Sequence, residues 1–247
     1  MSQPQTQQNL TTAVADSFAG WGAVETWVFD LDYTLYPPSA ALFAQIEQRM
    51  RGYIAEFLGL DLDAAWQLQK EYFHAYGMSL RGLMDFHAMD PAPFLAHVHD
   101  IDLSVLDPSP ALGAALAALP GRKLIFTNAS ARHAERVLER LGIAGHFEAV
   151  FDIVAADYRP KPEPETYRNL VRRHNIDPRQ SVMIEDQARN LPPAAALGMT
   201  TVWVRCTTDQ PPAPADVAAS VHHIVDDLIA WLTAIGAAEA AAPATEG

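Results

Sequence analysis

The sequence predicts an α/β fold in which helices cover both faces of a parallel β-sheet. Short apolar runs of strand length recur along the chain, and amphipathic helical patterns separate them. This alternation is typical of parallel strands joined by right-handed helical crossovers. No strand pattern occurs between Tyr36 and Leu106, and a structureless loop of that length is improbable in a compact domain. The gap therefore predicts a small all-helical domain inserted after the first strand.

The composition limits the classes of function. The chain has 247 residues, of which 49% are hydrophobic, and its formal net charge is −13. That charge argues against a nucleic-acid polymer as a partner, because binding a phosphate backbone requires a basic surface. Cys206 is the single cysteine, so no intrachain disulfide can form. No apolar run has the length of a membrane span, and the polar start lacks the features of a signal peptide. We therefore expect a cytoplasmic protein with no membrane partner.

Six segments are predicted to form the sheet. Continuous apolar runs at 124–126 and 182–184 are typical of strands that are buried on both faces. The patterns of the third and sixth segments are weaker. The predicted strands are residues 26–31, 123–128, 149–155, 181–185, 200–205 and 223–225.

Helical patterns connect several of these strands. Residues 132–141 carry apolar side chains at helical spacing and are followed by Gly142, a common helix stop. Residues 163–174 begin among prolines, and residues 191–197 are followed by Gly198. The predicted domains are a flexible tail at 1–20, an α/β core at 21–36 and 106–236, an inserted domain at 37–105, and a flexible tail at 237–247.

The inserted domain has helical patterns of its own. Apolar residues recur at spacings of three and four from Leu42 to Leu58, and Leu62, Trp66, Leu68 and Tyr72 form a second stripe. A third short helix is predicted after Asp90-Pro91. A domain inserted here would lie over the carboxyl edge of the sheet as a lid.

Asp30 and Asp32 stand at the end of the first predicted strand, with one leucine between them. Alternation along a strand would direct both side chains the same way, towards the edge where α/β sheets bind ligands. Two carboxylates this close repel each other unless a cation lies between them. The pair therefore indicates a metal-assisted carboxylate site. The alternative is an acidic turn that caps a helix.

Three other strand ends carry polar groups. Thr127 and Asn128 precede a predicted helix, whose N-terminus favours phosphate, although Asn128 or Ser130 could simply cap it. Lys161 lies among three prolines that stiffen its loop, where it could bind phosphate or remain solvated. Glu185 and Asp186 add negative charge after a buried strand, although Asp186 could cap the next helix. Convergent carboxylates call for a hard divalent ion, and Mg²⁺ fits best.

The order of these groups along the chain is more specific than any one of them. A double aspartate, then Thr-Asn, then lysine, then Glu-Asp resembles the four motifs of the haloacid dehalogenase-like (HAD) superfamily of phosphohydrolases, over residues 27–204. That family implies a Rossmann-like, doubly wound core with a cap. Several segments are also similar to its pyrimidine 5′-nucleotidase branch: residues 76–83, 86–91, 125–130, 133–138, 185–186, 190–191 and 197–199.

The resemblance implies a role for each core residue. Asp30 would attack phosphorus and form an aspartyl-phosphate, and Asp32 would protonate the leaving oxygen and then deprotonate water. Backbone N–H groups in the turn at 34–35 could reach the phosphate. Phosphate would be bound by Thr127, the Asn128 N–H and Lys161. Mg²⁺ would be bound by the Asp30 carboxylate, the Asp32 carbonyl and Asp186, and by Glu185 either directly or through water.

The cap resemblance implies a small phosphorylated substrate, with UMP or CMP expected and a monomer or homodimer as the assembly. Tyr76, Arg81, Phe86 and His87 are candidates for contacts with the leaving group, although each could equally be a cap core or surface residue. A phosphatase for another metabolite, such as a sugar phosphate or phosphoglycolate, and a phosphosugar mutase are the alternatives. The presence of Asp32 favours phosphoryl chemistry over dehalogenation.

Overall fold

A computed structural model describes residues 21–206 and 213–241 of the chain. The predicted tail at 1–20 lies outside the described residues. The described part contains six strands, and all adjacent pairs are parallel. The strands are β1 (Thr26–Phe29), β2 (Arg122–Phe126), β3 (Ala149–Phe151), β4 (Ser181–Glu185), β5 (Thr200–Val204) and β6 (His223–Val225).

Ten α-helices of the described residues accompany the sheet. Four of them form the inserted cap, and six belong to the core. They are α1 (Leu42–Leu58), α2 (Leu62–Tyr76), α3 (Ser79–His87), α4 (Pro91–Val98), α5 (Pro110–Ala118), α6 (Ala131–Leu141), α7 (Pro164–His174), α8 (Pro192–Leu197), α9 (Ala215–Ala218) and α10 (Leu228–Ala241).

The strand order is β3-β2-β1-β4-β5-β6, which confirms the predicted doubly wound parallel sheet with a helical cap. The chain moves outward from β1 to β3 and then returns to β4 on the other side of β1. This reversal places a crevice at the carboxyl ends of β1 and β4, where such sheets bind ligands. The cap is inserted directly after β1, so its helices lie next to the same crevice.

Alternate side chains of each strand pack into two separate cores. Trp27 and Phe29 face one core, which includes α5, α6 and α10 and continues into the cap. Val28 faces the other, which includes α7, α8 and α9. Burial of both faces explains why the strands read as continuous apolar runs.

The structure differs from the predicted elements at several points, and β3 ends at Phe151 and not at residue 155. The cap has a fourth helix, α3, at Ser79–His87, where a motif was recognised but no helix was predicted. The buried stripe of α2 consists of Ala65, Gln69 and Tyr72, because Trp66 is only half-buried and lies over the Lys70 ammonium. The segment at 237–247, predicted to be a flexible tail, is helical through Ala241. Alanine favours helix, and Gly236 lets α10 approach α5 closely. Residues 242–247 lie outside the described part.

None of the helices in the described part of the chain combines the length and the apolar character that a membrane span requires.

Candidate active site

Asp30 and Lys161 form the centre of the site. Asp30 follows β1 directly, and its N–H donates to the Ile184 carbonyl of the neighbouring strand at 2.9 Å. The Lys161 ammonium lies 2.6 Å from Asp30 Oδ1 and 2.6 Å from Glu185 Oε2, and it donates to the Phe126 carbonyl at 2.9 Å. Lys161 is 1% exposed. Elements that are far apart in sequence thus meet through one buried cation.

The buried carboxylates outnumber this cation. Oxygen atoms of Asp30, Glu185 and Asp186 lie within 4.8 Å of one another, and all three residues are buried. Burial, and then the negative charge of Glu185, raise the pKa of Asp30 from 3.8 to about 7 and raise the pKa of Asp186 well above its usual value. Burial lowers the pKa of Lys161, but its two carboxylate partners outweigh that effect and raise it.

This donor set fits the predicted Mg²⁺. Hard divalent cations prefer carboxylate oxygens, and a cluster with excess negative charge is stabilised by one. The Asp30 and Asp186 carboxylates would hold the ion, while Glu185 already binds Lys161 with Oε2 and receives the Gln187 N–H on Oε1 at 3.2 Å. The Asp32 side chain is not in this cluster, and the carbonyl of Asp32 as a metal ligand stays a prediction.

Asp32 has different partners from Asp30, although both line the same cavity. His133 Nε2 lies 3.1 Å from Asp32 Oδ1, and the Tyr36 hydroxyl donates to the same oxygen. Burial raises the pKa of Asp32, but the charge and hydrogen bond of His133, together with Tyr36, outweigh it and lower that pKa. The two aspartates are therefore held in opposite electrostatic environments.

A second histidine supports the first. The His99 ring stacks on His133 with centroids 4.5 Å apart, and Ser130 Oγ lies 2.9 Å from His99 Nδ1. Burial, and then the neighbouring His133, lower the pKa of His99 to about 3. A neutral His99 packs against His133 without placing a second positive charge beside it.

The predicted phosphate-binding residues Thr127, Asn128 and Lys161 line the same cavity as Asp30. Thr127 is 2% exposed, and its Oγ accepts the Ala129 N–H at 3.0 Å, which aims the hydroxyl proton elsewhere. The Asn128 side chain clamps the backbone of Lys161: Oδ1 accepts the Lys161 N–H at 2.8 Å, and Nδ2 donates to its carbonyl at 3.4 Å. The Asn128 side chain thereby positions the loop that carries Lys161, and phosphate binding by the Asn128 N–H stays a prediction. Ser130 caps α6, as the alternative interpretation held.

Two backbone N–H groups of the turn after β1 form hydrogen bonds within the turn. The N–H groups of Thr34 and Leu35 both donate to the Leu31 carbonyl, at 3.3 and 3.0 Å, so the expectation that they reach a phosphate is not met. Thr34 contributes instead through its side chain, which donates to Asp30 Oδ2 at 3.1 Å.

The cap and core together enclose a cavity of about 320 Å³ above these residues. One face of α1 contributes Phe43, Ile46, Glu47 and Met50 to its wall, and the other cap residues are mostly apolar. These cap residues are Gln69, Lys70, Phe73, Gly77, Met78, Ser79, Phe94, Leu95 and Val98.

The four predicted leaving-group residues of the cap lie outside the lining of this cavity. Arg81 pairs with Asp85 at 2.8 Å, and His87 Nε2 lies 2.9 Å from the Tyr72 hydroxyl. Tyr76 and Phe86 stack around Tyr72, and Phe86 is 61% exposed. Their aromatic cluster joins α2 to α3, because Gly82 lets the Tyr72 ring approach closely.

The cap also touches the lysine loop through Gly77. This residue has φ +77°, and a β-carbon at that position would lie 2.7 Å from the Lys161 carbonyl oxygen. Only glycine combines this backbone conformation with so close an approach. The turn between α2 and α3 therefore rests directly on the loop that carries Lys161.

Sequence reasoning missed several residues of the site. His133 and Tyr36 could have been found from their positions, one in the first turn of the helix after β2 and the other four residues after Asp32. Gln69 gave no clear signal, because the apolar pattern of α2 placed its buried face on Trp66 and Leu68. His99 had no signal, because only the tertiary structure brings it onto His133.

Residues 24–198 match the family model described as haloacid dehalogenase-like hydrolase. The chain belongs to this family. The match covers β1, the cap, the Lys161 loop and the Glu185-Asp186 pair, all of which contribute residues to the cavity. It confirms the predicted superfamily.

Two proteins of similar sequence have different names. The chain is 27% identical over 193 residues to "Phosphate metabolism protein 8" of Saccharomyces cerevisiae, over 72% of this chain and 60% of that protein. It is 36% identical over 83 residues to "Fructose-1-phosphate phosphatase YqaB" of Escherichia coli, over 33% of this chain and 43% of that protein. The chain therefore spans less than two thirds of the length of either relative.

Solved structures share the fold at low identity. A HAD phosphatase from Thermococcus onnurineus superposes with a TM-score of 0.54 at 17% identity, covering 82% of this chain and 93% of that one. A HAD family hydrolase from Deinococcus radiodurans superposes with a TM-score of 0.52 at 22% identity, covering 90% of this chain and all of that one.

Proposed function

We propose that the protein is a Mg²⁺-dependent phosphomonoesterase that acts through an aspartyl-phosphate on Asp30. The observation that carries this proposal is the buried cluster of Asp30, Glu185 and Asp186 around the Lys161 ammonium, beside an Asp32 with separate partners. These groups line one cavity, where Asp30 would serve as the nucleophile, Asp32 as the proton donor and Lys161 as a cation for phosphate. Mg²⁺ at this cluster would neutralise charge on the transferring phosphoryl group.

In the first step, a carboxylate oxygen of Asp30 attacks phosphorus while the bond to the leaving oxygen breaks. Asp32 donates its proton to that oxygen. Its lowered pKa keeps it ionised before substrate arrives, but an approaching phosphate anion raises a neighbouring carboxyl pKa and favours the protonated form. His133 and Tyr36 both contact Oδ1, so we assign the proton transfer to Oδ2.

In the second step, the ionised Asp32 takes a proton from a water molecule, and that water attacks phosphorus. The bond between Asp30 and phosphorus breaks, and phosphate is released with Asp30 regenerated. The Thr127 hydroxyl and the Asn128 N–H stabilise the phosphoryl oxygens throughout, and Lys161, whose N–H groups already have acceptors, adds its positive charge. The cap excludes bulk water from the cavity while the leaving group departs.

For the substrate, we propose a pyrimidine nucleoside monophosphate such as UMP or CMP. The cavity volume of about 320 Å³ lies at the small end for ligand pockets, and the cap wall is mostly apolar, with three phenylalanines, Phe43, Phe73 and Phe94. The flat faces of a planar base suit this aromatic wall. The similarity of the cap motifs to the nucleotidase branch supports the same substrate.

Phosphate release in the presence of Mg²⁺ tests both parts of the proposal. The substrates to compare are UMP, CMP, dTMP, AMP, fructose 1-phosphate, ribose 5-phosphate and phosphoglycolate. Release from at least one of them, abolished in Asp30→Asn, supports the phosphomonoesterase, and a preference for UMP and CMP supports the nucleotidase. Conversion of a sugar phosphate to its isomer without phosphate release would instead support a mutase.

A further inference from the structure

Gln69 is a buried polar residue whose side-chain oxygen has no partner. The residue lies on α2, is 3% exposed and lines the cavity above Asp30. Among the described residues, no group donates a hydrogen bond to its Oε1 atom, although the atom is buried. Burying an amide oxygen without a hydrogen bond costs free energy, and native proteins rarely leave one unpaired.

Two polar side chains next to Gln69, those of Lys70 and Ser79, bind other groups. The Lys70 ammonium pairs with Glu47 Oε1 and lies 4.2 Å from the centre of the Trp66 ring. The Ser79 hydroxyl donates to the main-chain carbonyl of Gln69 at 2.8 Å, which holds the backbone of α2 at this point. The main chain is thus fixed, while the side-chain oxygen is left to a group that enters the cavity.

We infer that the Gln69 amide recognises the leaving group of the substrate by pairing with the hydrogen-bonding edge of a planar base. This inference rests on the proposed nucleotidase function. A primary amide offers an acceptor and a donor side by side in one plane. Uracil presents a matching N–H beside a carbonyl, and cytosine presents a matching amino group beside a ring nitrogen.

The geometry of an amide explains why one residue serves both bases. Rotation of the terminal amide exchanges the positions of its oxygen and its NH₂ group, so the same side chain pairs with the edge of uracil or of cytosine. The apolar residues around Gln69 contact the faces of the base, and the amide reads its edge. A sugar leaving group has no such planar pair of donor and acceptor.

The variant Gln69→Leu tests this role, with Gln67→Leu on the exposed side of the same helix as its matched control. The quantity to measure is the ratio of kcat/KM for UMP, and for CMP, to kcat/KM for ribose 5-phosphate, which lacks the base. Loss of the hydrogen bonds should lower this ratio about ten- to hundredfold in Gln69→Leu and leave it unchanged in Gln67→Leu.

Thermal unfolding separates recognition from a structural role. Gln69→Leu removes a buried unpaired polar atom, so its Tm should equal or exceed that of the wild type. A lower Tm in both Gln69→Leu and the longer, unbranched Gln69→Met, or an equal loss of activity on all three substrates, would show that Gln69 is structural and overturn the inference.

The failure of the inference can be distinguished from the failure of the proposed function. If the wild type already hydrolyses ribose 5-phosphate as well as UMP and CMP, the nucleotidase proposal fails and the inference fails with it. If the wild type prefers UMP and CMP and Gln69→Leu keeps that preference, the proposed function stands and the inference alone is wrong.

Discussion

The replacement Lys161→Met should destabilise the protein strongly when no divalent cation is bound. The Lys161 ammonium lies 2.6 Å from both Asp30 and Glu185 and is 1% exposed, so its removal leaves their carboxylates buried beside Asp186 without a cation. Breaking a buried ion pair by removing one partner costs about 3–5 kcal/mol. That loss is a large part of the roughly 5–15 kcal/mol by which domains are stable.

A second buried lysine provides the matched control. Lys123 is 8% exposed, but its ammonium donates to two neutral carbonyls, those of Leu119 at 2.9 Å and Gly121 at 3.2 Å. Lys123→Met leaves only these acceptors unpaired, at a cost of about 1–3 kcal/mol. A third variant, Lys161→Met with Glu185→Gln, should regain stability but not activity, because one uncompensated charge is removed while the phosphate-binding cation is still absent.

Urea unfolding in EDTA and in excess Mg²⁺ is the assay. An ion that binds only the folded state stabilises it, and the more negative cluster of Lys161→Met should bind Mg²⁺ more tightly than the wild type. The midpoint should therefore rise more with Mg²⁺ in Lys161→Met than in the wild type or in Lys123→Met. The reasoning is refuted if Lys161→Met is no less stable than Lys123→Met in EDTA and Mg²⁺ shifts all proteins equally.

Three further variants or treatments test other parts of the site. Asp30→Asn should abolish phosphate release without lowering the free energy of unfolding in EDTA, because the change removes a buried charge of raised pKa; near wild-type turnover would exclude Asp30 as the nucleophile. EDTA should stop turnover and excess Mg²⁺ should restore it; a rate unaffected by chelation would contradict the metal site. Gly77→Ala should raise KM or lower kcat, because the added methyl group pushes the cap turn away from the Lys161 loop. Gly59→Ala is the control, since Gly59 has a similar φ of +65° but no atom within 4 Å of an added β-carbon, and it should leave both constants unchanged. Equal kinetics for the two variants would contradict the contact.

The parts of the fold that could be predicted are those that depend on local pattern. Apolar strands buried on both faces, glycine helix stops such as Gly142 and Gly198, and the absence of a strand between Tyr36 and Leu106 each indicate their element without reference to the rest of the chain. The same holds for Asp30, Lys161 and Asp186, because each directly follows a strand or lies in a loop at the carboxyl edge of a parallel sheet.

The parts that could not be predicted depend on packing between distant segments. The stripe of α2 was misassigned because Trp66 lies over Lys70 and leaves Ala65 and Gln69 to face the interior. Tyr76 and Phe86 have the composition of a base-stacking pair, yet they pack around Tyr72 at the joint between α2 and α3. Periodicity specifies which face of a helix is apolar but not which neighbour covers it.

The electrostatic division between the two aspartates was also beyond the sequence. Spacing alone directed Asp30 and Asp32 to the same cavity, which the structure shows. Burial raises the pKa of both aspartates; Glu185 raises that of Asp30 further, while His133 lowers that of Asp32, and both partners lie in elements more than a hundred residues away.

Trapping the phosphorylated enzyme tests the central claim of covalent catalysis most directly. Asp32→Asn, mixed with Mg²⁺ and p-nitrophenyl phosphate, whose leaving group departs without a proton from Asp32, should accumulate aspartyl-phosphate, because the base that activates water is absent. Borohydride reduction converts this group to homoserine, which tandem mass spectrometry of the digested protein locates. The account predicts homoserine at position 30, and its appearance at another aspartate, or at none while the wild type turns over the same substrate, would contradict it.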